Sequence, residues 1–133
     1  MLTGRLPLVP RVSFCGVDTR DAAEIHIKAL TDDRARGQRI IAAGTPLWLQ
    51  EIADTLKTRL GARASKVSTR EAPDWLIRAV GLFNANARFM AADLGKRRSY
   101  ASHKAEMILG RPLRSLEEAV TAAGESLIKH GLA

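Results

Sequence analysis

Cysteine is nearly absent from this chain of 133 residues, where Cys15 stands alone. No intramolecular disulfide and no cysteine zinc cluster can form, and a reducing cytoplasm is the simplest compartment for such a sequence. Aromatic residues are also scarce, at 5%. Neither an aromatic RNA-binding motif nor a recognition-helix pattern is present, so no nucleic-acid partner is expected. No uninterrupted apolar run is long enough to span a bilayer, and no membrane association is expected. Pro7, Pro10 and Arg11 break the N-terminal "MLTGRLPLVPRVSF" before it could serve as the apolar core of a signal peptide. His26, His103 and His130 share no metal-binding spacing, so no metal is expected. Neither G-x-G-x-x-G nor G-x-x-G-x-x-G occurs. The chain therefore offers no Gly-rich strand-to-helix turn for the pyrophosphate of a dinucleotide.

What is present is an apolar content of 46% and a net charge of +7. The first fits one domain with a core and argues against disorder. The second permits anion contact, but the basic residues are scattered and many alternate with acids along helices. Their densest group is Lys96-Arg97-Arg98.

Along the chain, "RVSFCGV" alternates Val12 and Phe14 with polar or small neighbours and reads as a short strand. Asp18 or Thr19 then caps a helix, with Asp21 in its first turn. Ala22, Ala23, Ile25, Ile27, Ala29 and Leu30 surround most of that helix, which calls for cover on several sides. "GQRIIAAG", residues 37–44, reads as a buried strand. Thr45-Pro46 gives an N-cap with proline at N1 for the next helix, which Gly61 ends. A short strand around Val67 is an option within "ARASKVSTREAP". Asp74 caps a helix over 74–83, and a short helix resumes to Leu94. Ser102 starts a helix of about two turns that stops at Gly110. Ser115 and Glu118 form a capping box for the last one, and Gly124 weakens its interior. The fold class is α/β, mostly helical with two or three short strands. So little strand cannot cover these helices, because central strands need partners on both sides. The expectation is an incomplete piece of a larger sheet.

"CGVDTRDAAEIHIKAL" crowds Asp18, Arg20 and Asp21 into four positions. Two carboxylates beside an arginine suit an acid/base centre, and equally a polar knot that starts a buried helix. "YASHKA" places Tyr100 and Lys104 four apart, the spacing in which a lysine lowers a tyrosine's pKa for proton exchange with substrate. That chemistry needs a dinucleotide turn, which the chain lacks. The helix after Lys104 is also short, so the reading here is packing. No catalytic residue is assigned. Trp48 and Trp75 near helix starts suit anchoring or a pocket wall.

The order of the segments "GVDTRDAAEIHIKAL", "GQRIIAAG", "PDWLIR", "SHKAEMILGRPLRSLEEAV" and "ESLIKHGL" resembles the C-terminal part of the extended short-chain dehydrogenases/reductases. These form the NAD-dependent epimerase/dehydratase family, and the dihydroflavonol-reductase-like branch is the closest look. That branch shows Val-Asp-x-Arg-Asp-x-Ala, Gly-x-Arg, Lys-Ala-x-x-x-Leu-Gly and Glu-Ser-Leu-x-x-x-Gly-Leu segments in this order. The resemblance implies that residues 1–133 form a single substrate-side lobe of a Rossmann-type oxidoreductase, truncated of its nucleotide-binding half. NAD(P) would be the cofactor of the full-length family, with none bound by this chain alone. Asp18, Arg20 and Asp21 would then fix the crossing from the substrate lobe into the nucleotide-binding sheet. Trp75, Arg97 and Arg98 would wall the pocket for a small-molecule substrate. Either arginine is a positional match to the one that meets a diphosphate in sugar-nucleotide members. The alternative is a non-enzymatic interaction module or remnant. It would self-associate through Ile25, Ile27, Ile40 and Ile41, or pair with a separate nucleotide-binding chain.

Overall fold

The computed structural model describes residues 1–133. Strand β1, Ser13–Phe14, pairs antiparallel with β2, Leu47–Trp48, in the register Ser13–Trp48 and Phe14–Leu47. Six helices accompany this sheet: α1 Thr19–Ala29, α2 Leu49–Leu60, α3 Asp74–Val80, α4 Ala85–Ala92, α5 His103–Leu109 and α6 Leu116–Lys129. The architecture is α/β and mostly helical, an incomplete piece of a Rossmann-type fold. No helix is long and apolar enough to cross a membrane.

The main core forms where α6 lies on α2. Leu49, Ala53, Leu56 and Leu60 of α2 recur at helical spacing and meet Leu2, Val9, Val12, Val67 and Leu94. Gly124 lets the two helices approach: a Cβ there would lie 2.8 Å from Leu60 Cδ1 and 3.0 Å from Leu56 Cδ2. Its backbone cost in mid-helix is offset by this contact, so α6 runs through it to Lys129. A smaller core joins α1 to α5 through Ile25, Ala105 and Leu109, with Ile40 and Ala42 packed on it.

Several expectations from the sequence are corrected. Residues 37–44 carry no ladder: the apolar segment is there, but nothing in the chain pairs with Arg39–Ala42. The strand after it is β2 instead. The Thr45-Pro46 signal does not start α2, because pairing with β1 holds Leu47–Trp48 extended. The helix begins at Leu49, with Trp48 as N-cap and the Glu51 carboxylate accepting the Trp48 N–H at 2.7 Å. Val67 is no strand residue; it follows the 3-10 turn Gly61–Ala64 into the core, and Val9 bridges to Glu71 nearby. Pro73, not Asp74, is the N-cap of α3, which stops at Val80, and Asp74 turns to Arg11 at 2.6 Å. The cover expected over α1 is missing within the chain. Only Asp21 and Ile25 of this helix are buried, while Ile27 and Leu30 are 68% and 85% exposed.

Candidate functional site

The polar cluster at the start of α1 divides into two pairings. Asp18 ends the extended segment before the helix and accepts the Arg20 N–H at 2.8 Å. The Arg20 guanidinium closes on both Asp18 oxygens, at 2.9 and 2.7 Å. Asp18 is thus the cap, and Thr19 is the first helical residue. The fork of hydrogen bonds from Arg20 holds the Asp18 carboxyl down at about 2 despite its burial.

Asp21 is fully buried one turn on. It accepts the Arg114 backbone N–H at 2.7 Å, an Arg111 N–H at 2.8 Å and the Arg114 guanidinium. Burial pushes this carboxyl up, but the two arginines outweigh it and hold the group below the usual carboxylate range. Arg111 also reaches Glu24 at 2.7 Å. Lys28 bonds Glu24 at 2.9 Å and the Leu109 carbonyl at 2.6 Å, at the C-terminal end of α5. The cluster therefore clasps α1 to the connection between α5 and α6. Sequence reasoning found Asp18, Arg20 and Asp21 but not Arg111 and Arg114. The signal was available: two carboxylates against one arginine require a further cation, and "GRPLR" supplies two where a helix has just stopped.

Arg114 connects this clasp to a cleft of about 450 Å³. Ala43–Pro46 form one wall, and Ser99, Tyr100, Ser102 and Glu106 the other, with Leu113, Arg114 and Ser115 at its end. The walls are tied together because Ser102 Oγ accepts the Ala43 N–H at 3.0 Å and donates to the Ala43 carbonyl at 2.5 Å. Cys15 holds the Gly44 wall, donating its thiol to the Gly44 carbonyl at 2.8 Å. Burial pushes that thiol's pKa up. The cleft thus offers a guanidinium, a phenol and serine hydroxyls above a mostly polar floor. That set suits a small polar molecule whose oxygen accepts hydrogen bonds.

Arg97 borders the cleft and donates to the Pro46 carbonyl at 2.7 Å. Arg98 turns away to Asp93 at 2.6 Å. Trp75 stands on α3, 68% exposed, and does not line the cleft. Tyr100 lines it, while Lys104 gives its ammonium to Gln38 Oε1 at 2.8 Å. No three His, Cys, Asp or Glu side chains gather where they could hold a metal ion.

Neither strand-to-helix turn of this chain suits the pyrophosphate of a dinucleotide. Each strand-to-helix turn already holds a carboxylate, Asp18 at the start of α1 and Glu51 at the start of α2. A pyrophosphate there would meet like charge where it needs free N–H groups.

No family model matches the chain, and no curated protein does. Solved structures do. One is a reductase engineered to attenuate substrate inhibition in asymmetric catalysis, 21% identical over 90% of this chain and 33% of that one, with a TM-score of 0.57. Another is yeast methylglyoxal/isovaleraldehyde reductase Gre2 complexed with NADPH, 17% identical over 98% of this chain and 40% of that one, with a TM-score of 0.63. At these identities the likeness is one of fold, and the chain spans 33–40% of the length of these two proteins.

Proposed function

We propose that residues 1–133 are the substrate-binding lobe of an NAD(P)-dependent oxidoreductase acting on a small carbonyl compound. Its closest look remains the dihydroflavonol-reductase-like branch of the NAD-dependent epimerase/dehydratase family. One observation carries the reading: a fold shared along nearly the whole chain with reductases, one of them bound to NADPH, and containing a polar cleft. In this reading Arg114, Tyr100 and Ser99 bind and orient the carbonyl compound. The clasp of Asp21 with Arg111 and Arg114 keeps the guanidinium in place. Arg97 holds the Pro46 wall. NAD(P) would supply the hydride, held by residues outside these 133, and the lobe alone would not be catalytic.

Saturation-transfer NMR with an aliphatic ketone tests the reading. The expected result is transfer to the ketone that is lost in Arg114→Met. Unchanged transfer in that variant, or none in the parent chain, contradicts it. A second reading, an interaction module that associates with another chain, is favoured by the unpaired backbone at Arg39–Ala42.

A further inference from the structure

Helices α3 and α4 are the only helices of the chain in which no residue is buried. They form a hairpin that closes on itself at Gly81, where a Cβ would lie 3.1 Å from the Arg88 Cα. Ile77, Met90 and Ala91 are its half-buried contacts with the main core. The base of the hairpin, by contrast, is bonded within the chain. Ala72 and Leu94 are buried there. Ala72 donates its N–H to the Val9 carbonyl at 2.8 Å, and Gly95 donates to the Arg11 carbonyl at 2.8 Å. A segment with so few buried contacts opens at a lower free energy than the core it rests on.

One side chain fastens it. Arg11 gives its guanidinium to Asp74 at 2.6 Å, the only hydrogen bond between residues 74–92 and residues 1–72. The same guanidinium lies over Gly95, where a Cβ would come within 3.3 Å of its nitrogen. Arg11 therefore meets both ends of the hairpin. The Arg11 side chain is 50% exposed and that of Asp74 33%, so water competes for the pair and holds its strength down. A second acceptor stands beside it. Glu71 is exposed, its carboxylate has no partner, and it lines with Arg11, Pro10 and Trp48 a cavity of about 220 Å³. Hydrogen bonding to Asp74 raises the Arg11 pKa, and the Glu71 charge adds to it. The two acceptors lie on opposite sides of Pro73. Glu71 belongs to the base, where it bridges to Val9, and Asp74 belongs to the hairpin.

We propose that residues 74–92 are a flap and that Arg11 is its latch: the guanidinium passes between Asp74, which holds the flap down, and Glu71, which leaves it free. The exchange trades one exposed ion pair for another of the same kind and leaves the main core in place. A small free-energy difference between two such pairings keeps both states within reach. The flap runs on into the cleft wall. Just past its end Ser13 donates its hydroxyl to the Lys96 carbonyl at 2.9 Å, and the next residue, Arg97, holds Pro46. Opening the flap therefore loosens the Arg97 side of the cleft. That consequence for substrate entry rests on the function proposed above; the latch itself does not.

Residue-resolved amide hydrogen exchange of the chain without ligand tests this. The α3 and α4 amides should exchange together, and faster than those of α2 and α6. Asp74→Asn should speed them about two- to fivefold. Glu71→Gln removes the competing acceptor and should slow them by a similar factor. The α2 and α6 rates should stay at the parent's values in both variants. In an Arg11→Met background the slowing by Glu71→Gln should disappear. Opposite signs for two carboxylates three residues apart separate a latch from a general loss of stability. Glu71 is exposed, so the deciding variant disturbs no packing. Flap amides as slow as those of α2 and α6, a flap unchanged or faster in Glu71→Gln, or a slowing that persists without Arg11 overturns the proposal. No ligand enters the experiment, so the latch and the substrate-binding reading fail separately.

Discussion

Asp21 is fully buried, and Arg111 and Arg114 balance its charge. Removing it leaves two half-buried guanidinium groups facing an apolar hole. Asp21→Ala should therefore lose about 3 kcal/mol or more of stability, measured by urea denaturation. Asp18 supports a different prediction, because its carboxyl is held at about 2. As pH falls from about 4 toward 2, the unfolded chain takes up a proton that folded Asp18 refuses. The stability that the ion pair contributes, about 2 kcal/mol, is present above the unfolded value and lost through that window. Asp18→Asn keeps an N-cap but not the charge, so the urea midpoint of that variant should depend less on pH below 4 than the parent's. Equal slopes would contradict the assignment. At this scale the sequence was legible where partners are neighbours: Asp18 and Arg20 lie two apart. It gave no position for Arg111 and Arg114, which lie 90 and 93 residues from Asp21; only the unbalanced charge of two carboxylates against one arginine pointed to a further cation.

Among the elements, helices announced themselves through their caps and stops. Asp18, Ser115, Gly61 and Gly110 each act where the sequence places them. Strands did not, because a strand is made by its partner. "GQRIIAAG" has the composition of a buried strand and no ladder, whereas Leu47–Trp48 became β2 because Ser13–Phe14 lies beside it. Gly124 shows the same dependence on a neighbour. Helix propensity alone predicts that filling it would stabilise α6, yet a side chain there meets Leu60 and Leu56. Gly124→Val should lower stability by about 1–3 kcal/mol, seen as a lower melting temperature. A higher one would mean that α2 and α6 can move apart freely.

For the whole molecule, the informative property is how little is enclosed: 23 of 133 residues are buried. Ile27 on α1 and Leu30 at its C-cap, and Trp75, Leu82, Phe83 and Phe89 on α3, α4 and the turn between them, face outward. The sequence suggested this shortage through an over-apolar helix and too few strands. It could not show the cleft, since Ala43–Pro46, Tyr100 and Arg114 come from three separate parts of the chain. On the proposed reading the lobe binds substrate and leaves the dinucleotide to other residues. An amide-resolved NMR titration of the chain, first with NADPH and then with an aliphatic ketone, tests that division most directly. The account predicts no shift with sub-millimolar NADPH, and ketone-induced shifts confined to Gly44, Tyr100, Ser102, Arg114 and Ser115. NADPH-induced shifts at the starts of α1 or α2, or a ketone that leaves the cleft amides unmoved, would contradict it.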